Sequence, residues 1–355
     1  MSPSFRVAVV GATGAVGTVM LDVLGRRGFP ASEVVPFASA RSAGRELDGR
    51  VVVELSDESI AGFDVALFSA GSTVSGEWAP RFARAGCLVI DNSSQWRMRP
   101  EIPLVVSEVN PEAIDGHSGI VANPNCSTMQ MVVALKPLHD AAGIERLVIS
   151  TYQSTSGTGV RAVAEMNDQT RAILDGVEPP AAKIYPHQIA FNVLPQVETF
   201  KDGDDYTTEE RKMIGETRKI LGLPELRISA TCARVPVRVG HSQSVNLETA
   251  DDLTPEQARE LLAGAPGVRV LDDPANAVYP LASLAAGGDD VLVGRIRRDP
   301  SNPKTLNLWI VGDNLRKGAA LNAVQLAELA VERGLLSGDA AGVPRVGRVS
   351  TFSEK

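Results

Sequence analysis

Phe5-Arg-Val-Ala-Val-Val-Gly-Ala-Thr-Gly-Ala-Val-Gly17 is the stretch from which the fold of this chain is read. The run 5–10 is apolar but for Arg6, as in a strand buried on both faces of a parallel sheet. Glycines follow at 11, 14 and 17, and a helical pattern then continues to about Arg27. At a strand–turn–helix junction, glycines permit a tight turn and let backbone approach a pyrophosphate resting on the helix N-terminus. The spacing is GxxGxxG, not the commoner GxGxxG, and a glycine turn without a ligand would look the same in isolation. Its place at the first junction of an alternating chain favours a dinucleotide site at Gly11, Gly14 and Gly17.

Working outward, short apolar runs recur at 34–39, 51–55, 65–69 and 87–90, with a helical segment at 74–85 and further strand-like runs at 104–106 and 120–122. Strands alternating with helices predict a mainly parallel sheet with crossover helices. At the end of the second strand a site for NAD would carry an acid for the ribose hydroxyls. Here the chain reads Ala38-Ser-Ala-Arg41-Ser42, an arginine and two hydroxyls suited to a 2′-phosphate. That chemistry selects NADP(H).

Composition narrows the rest. With 355 residues the chain has room for two domains, and 44% apolar content is that of an ordinary globular protein. A net charge of −8 and pI near 5.2 disfavour general nucleic-acid binding. No apolar run has the length of a membrane span and no secretory signal is read, so the expectation is a cytoplasmic protein. Cys87, Cys126 and Cys232 show no disulfide-like spacing, and the four histidines give no metal-ligand pattern.

Asn123-Pro-Asn-Cys-Ser-Thr128 follows an apolar run and precedes a long amphipathic stretch. This places Cys126 at a helix N-terminus, where unpaired N–H groups and the macrodipole favour thiolate. Those N–H groups are also expected to be available to an oxyanion. A buried, inert cysteine is the competing reading, and the polar neighbours argue against it.

The second half reads as α+β with a mostly antiparallel sheet. Strand-like runs at 144–155, 226–239, 242–249, 290–298 and 306–312 accompany helices at 126–142, 158–175, 207–221 and 255–263, around a proline-rich irregular stretch at 177–195. A last helix is expected over 314–333. Gln153 leads into a small-residue loop, Ser154-Thr-Ser-Gly-Thr-Gly159, suited to an anion or a carboxamide. Arg234 and His241 lie seven apart, on opposite faces if one strand holds both, and spacing alone does not bring them together. Glu209, Glu210 and Lys212 read as the solvated face of a charged helix.

Taken together, the strings GATGAVG, ASARSAG (38–44), DNSSQWRM (91–98), NPNCST, YQSTSGTG (152–159), EERK (209–212), RVPVRVGHS (234–242) and GDNLRKGAA (312–320) resemble the aspartate-semialdehyde dehydrogenase family over nearly the whole chain. The resemblance implies reduction of L-aspartyl 4-phosphate to L-aspartate 4-semialdehyde with NADPH, releasing phosphate. It implies Cys126 as acyl-accepting nucleophile, His241 as general acid/base and Gln153 as the residue orienting the acyl group. It further implies Arg234 on the substrate carboxylate, Glu210 on its ammonium, and Arg97 and Lys212 on the phosphate. Arg41, Ser42, Ser156, Gly157 and Asn314 would join Thr13 to Val16 around NADP. A homodimer is implied, with an NADP-binding domain at 1–127 completed by a C-terminal helix at 314–335, a substrate and dimerisation domain at 128–313, and a loose tail at 336–355. Two other readings compete. An N-acetyl-γ-glutamyl-phosphate reductase would leave Glu210 without a partner and carries a different string at its nucleophile. A non-catalytic NADP sensor would not need Cys126.

Overall fold

In the computed structural model, residues 4–336 are described, and they form two compact units. The first comprises the chain up to Pro124 together with the segment from Ala319 onward, and the second is Asn125–Gly318. The tail read as loose lies outside the described residues apart from position 336.

The first unit carries Phe5–Val10 (β1), Ala15–Arg27 (α1), Ala31–Ala38 (β2), a small hairpin of Glu46–Leu47 (β3) and Arg50–Val51 (β4), Val53–Glu54 (β5), Val65–Phe68 (β6), Ser72–Arg84 (α2), Leu88–Asp91 (β7) and Ile120–Ala122 (β8). Six strands form one all-parallel sheet in the order β5-β2-β1-β6-β7-β8. Strand order therefore reverses between β1 and β6, and ligands of open α/β sheets bind at the carboxyl ends of strands at that switch point. The glycine loop lies there. Gly17 is fixed by close approach, since a Cβ would stand 2.3 Å from the Gly11 carbonyl oxygen.

One face of this sheet packs Val7, Val9, Leu67 and Ile90 against Met20 and Leu24 of α1. The other packs edge-to-face rings, Phe37 on Phe63 and Phe82 on Phe68, with centroids 5.5 and 5.3 Å apart. The stretch 104–106, expected as a strand, makes only a single bridge, Leu104 to Ala122. The Asn110 side chain takes the Leu104 carbonyl and the Val106 N–H, each at 2.9 Å, which are groups a strand would offer to its neighbour.

The second unit contains Cys126–Ala142 (α3), Ile144–Gln153 (β9), Val160–Leu174 (α4), Thr208–Leu221 (α5), Arg227–Arg234 (β10), His241–Thr249 (β11), Pro255–Ala263 (α6), Val268–Val270 (β12), Ala282–Ala285 (α7), Val291–Arg298 (β13) and Thr305–Gly312 (β14). Its sheet runs β10-β9-β11-β14-β13-β12. The three inner joints are antiparallel and the two outer ones parallel. α3 is buried from Ser127 through Leu135, as befits a helix apolar all round.

The expected helix 314–333 is interrupted. Asp313 Oδ1 accepts the Leu315 and Arg316 N–H groups, a π-helical turn spans Arg316–Ala320, and Leu321–Glu332 (α8) follows. Such wide turns concentrate at functional sites. Here Gly318 passes Cys126, where a Cβ would come within 2.9 Å of the cysteine Cβ. α8 itself belongs to the first unit, with Leu321, Val324 and Ala327 in the same core as α1.

Candidate active site

Cys126 opens α3, as the sequence indicates, but the helix N-terminus is not open. The Asn125 side-chain oxygen accepts the N–H groups of Ser127 at 2.9 Å and Thr128 at 3.1 Å. These are two of the donors expected to be available to an oxyanion, and the cap occupies them. Cys126 is half-buried, whereas Cys87 and Cys232 are buried in strand surroundings. Burial, and Glu209 nearby, push the Cys232 thiol up, away from reactivity.

Asn125 also ties α3 to α5. Its amide nitrogen lies 3.0 Å from both Glu209 oxygens, and its backbone N–H donates to Glu216 at 2.6 Å. Glu209 accepts in addition from Gln153 Nε2 at 2.9 Å and lies 3.6 Å from Lys212 Nζ. Lys212 is paired with Glu198 as well. The inner face of α5 is thus a row of buried carboxylates, Glu209, Glu210 and Glu216, and not a solvated charge face. Arg211 is exposed on the outer side, whereas half-buried Lys212 reaches back toward Glu209.

Glu210, assigned to the substrate ammonium, is otherwise engaged. Its Oε2 accepts the Thr207 N–H at 2.8 Å while the Thr207 hydroxyl accepts the Glu210 N–H at 3.3 Å, a closed capping box. Its Oε1 accepts the Cys232 N–H at 2.8 Å. Both oxygens therefore serve the α5 terminus and β10. The carboxylate standing with Gln153 is Glu209, which the sequence reading missed. Thr207-Thr-Glu-Glu210 carries the S/T-x-x-E pattern that identifies Glu210 as the capping residue.

Arg234 and His241 come together because they are on different strands. β10 ends at Arg234 and β11 begins at His241, with 235–240 forming the loop between them. Gln153 ends β9 in register with Arg234, so three strand ends meet at one end of the sheet. Arg234 Nη1 donates to the Ser154 carbonyl at 2.6 Å, and its Nε is buried without a partner. The Ser154 N–H donates to His241 Nδ1 at 3.0 Å, and His241 Nε2 is likewise buried without a partner. A Cβ on Gly157 would stand 3.0 Å from Arg234 Nη1 and 3.2 Å from His241 Nε2, so both side chains converge on the small space over this glycine. Burial, with Arg234 adding to it, holds the imidazole well below the ordinary histidine pKa.

Ser156 and Asn314 lie one layer behind. Asn314 Oδ1 accepts from Gly240 N at 2.9 Å, Ser154 Oγ at 3.0 Å and Ser156 Oγ at 3.2 Å. Tyr185, not singled out from the sequence, lies with its ring 5.9 Å from the Arg234 guanidinium carbon. Its segment is pinned by Glu165, which accepts the N–H groups of Lys183 and Ile184 at 2.7 and 2.9 Å.

The remaining candidates are in the first unit. Arg97 is buried and points by its bonds, Nε to the Asn123 carbonyl at 3.0 Å and Nη2 to the Asn92 carbonyl at 2.6 Å. No side chain caps α1, and Thr13 and Gly14 are exposed at its start, with Ala15 and Val16 half-buried. β2 ends at Ala38, and a turn closed by Ser42 N to Ser39 O at 2.8 Å presents Arg41 to solvent beside half-buried Ser42. An uncapped helix start and an acid-free strand end fit a dinucleotide with a 2′-phosphate. Among the described residues no cluster of three or more His, Cys, Asp or Glu could hold a metal, and no helix is long and apolar enough to cross a membrane.

Comparison with known proteins identifies the family and the fold. The family model for the semialdehyde dehydrogenase NAD binding domain matches residues 6–117, and that for the semialdehyde dehydrogenase dimerisation domain matches 135–317. Aspartate-semialdehyde dehydrogenase of Aquifex aeolicus is 54% identical over 339 residues, covering 94% of this chain and 99% of that protein. The solved structure of aspartate semialdehyde dehydrogenase II from Vibrio cholerae complexed with ASA superposes with a TM-score of 0.89 at 46% identity, over 93% of this chain and 99% of that one. The Candida albicans aspartate semialdehyde dehydrogenase with NADP gives a TM-score of 0.71 at 26% identity, over 94% and 99%.

Proposed function

We propose that this chain, which belongs to the aspartate-semialdehyde dehydrogenase family, reduces L-aspartyl 4-phosphate to L-aspartate 4-semialdehyde with NADPH and releases phosphate. The observation that carries the reading is the convergence of Arg234 Nη1 and His241 Nε2 on the space over Gly157, with His241 Nε2 buried there without a partner. Buried polar atoms are almost always satisfied, so an unpartnered imidazole nitrogen beside a buried guanidinium calls for a polar ligand.

The substrate is a zwitterion carrying an acyl phosphate. Arg234, held through Nη1 by the Ser154 carbonyl, offers its remaining guanidinium edge to the α-carboxylate. Glu209 takes the place first given to Glu210 and meets the ammonium, flanked by Gln153. Gln153 orients the acyl group, and Arg97 and Lys212 receive the phosphate. Arg97 is pre-oriented by the two backbone carbonyls that hold it. Cys126 then adds to the acyl carbon and phosphate leaves, which divides the reaction into two easier steps. NADPH, when bound, supplies the hydride that reduces the thioester. Gly11, Thr13, Gly14, Ala15 and Val16 would hold its pyrophosphate, Arg41 and Ser42 its 2′-phosphate, and Ser156, Gly157 and Asn314, beside His241, its nicotinamide end.

A homodimer is part of the proposal. Ser150, Tyr152, Ser244, Asn246, Asn307 and Trp309 share one face of the second sheet and remain partly exposed, with the Tyr152 and Trp309 rings 5.4 Å apart. A second copy would cover that face. The assay that tests the function is reduction of NADP+ in the presence of aspartate semialdehyde and phosphate, followed by absorbance. No reduction with this pair, or equal reduction without phosphate, would refute it.

A further inference from the structure

Arg97, assigned above to the phosphate, is held by the ends of two strands. β7 ends at Asp91 and β8 at Ala122. The next residues, Asn92 and Asn123, supply the carbonyls that accept from Arg97 Nη2 at 2.6 Å and from Nε at 3.0 Å. These strands are neighbours in the parallel sheet, so one edge of the guanidinium spans both strand ends. A guanidinium is planar and rigid, and two bonds along one edge fix its plane as well as its place.

The residues that carry those carbonyls are themselves locked by side chains. Asn123 Nδ2 donates to Asn92 Oδ1 at 2.6 Å and to the Ala319 carbonyl at 3.0 Å. Asn123 Oδ1 accepts from Asn322 Nδ2 at 2.6 Å. Asn322 gives its other amide hydrogen to the Val105 carbonyl at 3.0 Å, and its Oδ1 accepts the Ser107 N–H at 3.1 Å. Asn123 and Asn322 are both fully buried. Asn322 stands in the first turn of α8, between Leu321 and Ala323 of the apolar core. A buried amide costs stability there unless it is hydrogen-bonded, and here the oxygen and both hydrogens of each amide have partners. A fully paired network of this kind holds its members in one arrangement.

Fastening α8 to the stretch 105–107 takes only the Val105 and Ser107 bonds. The bond to Asn123 does something else, because it reaches the residue whose carbonyl holds Arg97 Nε. We propose that Asn322, acting through Asn123, sets the orientation of the Arg97 guanidinium and with it the affinity for the phosphate group. Asn322 and Asn123 are positioning residues in this scheme, and the inference rests on the proposed reaction, in which Arg97 meets the phosphate. Asn322→Ala removes the donor to Asn123 Oδ1. The Asn123 amide can then turn, and its bond to Asn92 no longer fixes the spacing of the two carbonyls.

A double-mutant cycle tests this in the phosphorylating direction, with phosphate and semialdehyde varied separately. Asn322→Ala is expected to raise the phosphate KM about three- to thirtyfold and to leave the semialdehyde KM within about twofold. Combined with Arg97→Ala it should add less than about twofold to the phosphate KM of Arg97→Ala alone, because the group it orients is gone. An unchanged phosphate KM in Asn322→Ala overturns the inference, as does the same fold rise in both backgrounds. Asn110→Ala is the control for general loosening. Asn110 holds Leu104 and Val106 of the adjoining stretch and makes no bond to Asn123. It should lower Tm and leave the phosphate KM unchanged, and a rise equal to that of Asn322→Ala would also overturn the inference. If Asn322→Ala does not fold, Asn322→Asp takes its place in the cycle, since it keeps the acceptor for Ser107 and loses both donors. Arg97→Ala alone separates the two levels of the argument. An unchanged phosphate KM there refutes the phosphate role of Arg97, and the inference falls with it. A raised phosphate KM there, with none in the Asn322 variant, refutes the positioning only.

Discussion

Glu209 and Glu210 are adjacent in sequence, and their glutamine variants are expected to fail in different ways. The Glu210 carboxylate accepts two buried N–H groups, from Thr207 and Cys232, each at 2.8 Å. An amide has one acceptor oxygen, so in Glu210→Gln one of these donors loses its partner. A buried unsatisfied donor costs about 1–3 kcal/mol, and loss of a cap is of similar size, so the variant should lose about 2 kcal/mol. For units of 150–250 residues each kcal/mol lowers Tm by about 2–4 °C, giving a fall of about 4–8 °C. Its kcat/KM at 25 °C should stay within about threefold of the parent. Glu209→Gln keeps the shape and one acceptor for Gln153 or Asn125, but removes the charge facing the ammonium. Losing a charge-assisted hydrogen bond of about 1.5–3 kcal/mol should lower kcat/KM for the semialdehyde ~10- to 150-fold, and the donor left without an acceptor should lower Tm by an amount similar to that in Glu210→Gln, so it is kcat/KM that tells the two apart. Kinetics in the phosphorylating direction make that comparison, and thermal denaturation followed by circular dichroism measures the loss of stability. The assignment is refuted if Glu210→Gln loses activity at an unchanged Tm while Glu209→Gln keeps it.

Cys126→Ala should abolish turnover yet leave NADP binding intact, measured by isothermal titration; measurable turnover would end the covalent scheme. Arg41→Ala should weaken NADP(H) by ~10- to 150-fold with little effect on NAD(H), because only the former has a 2′-phosphate for the guanidinium. Equal losses in steady-state kinetics with both cofactors would remove Arg41 from that role. Arg234→Lys should raise the semialdehyde KM more than the phosphate KM, since an ammonium cannot reproduce the bidentate fork, and Arg97→Ala should show the opposite bias. A parallel rise of both constants in Arg234→Lys would break this division of the site. His241, held neutral by burial, should make the fold lose stability in acid. The unfolded ring takes a proton near its ordinary pKa of ~6.5 while the folded ring does not, so this contribution is full above that pH and is lost as pH falls from there toward the folded value. Urea unfolding between pH 7 and 5 should fall more steeply for the parent than for His241→Gln, and identical slopes would contradict it.

Local physics made much of this protein legible in its sequence. The apolar run 5–10 and the glycines at 11, 14 and 17 specify a strand and helix whose approach only glycine permits at position 17. The end of β2 has no acid, and Cys126 heads a helix because Asn125 caps it. These are matters of neighbours within a few residues, and a linear reading contains them. Even the Thr207–Glu210 capping box was there to be read. What tertiary structure decided is how groups distant along the chain share partners. The seven-residue gap between Arg234 and His241 stays ambiguous until two strands, joined by 235–240, place both beside Gln153 and Ser154. Burial turned the inner side of α5 from a solvated face into a set of carboxylates that must each find donors, and those donors come from Asn125, Gln153 and Cys232. The Ser127 and Thr128 N–H groups at the helix start are occupied because Asn125 folds back on them, while Arg234 Nε and His241 Nε2 are left buried without partners. Hydrogen bonds saturate, so a donor's availability depends on every acceptor brought near it, and only the folded chain fixes that set.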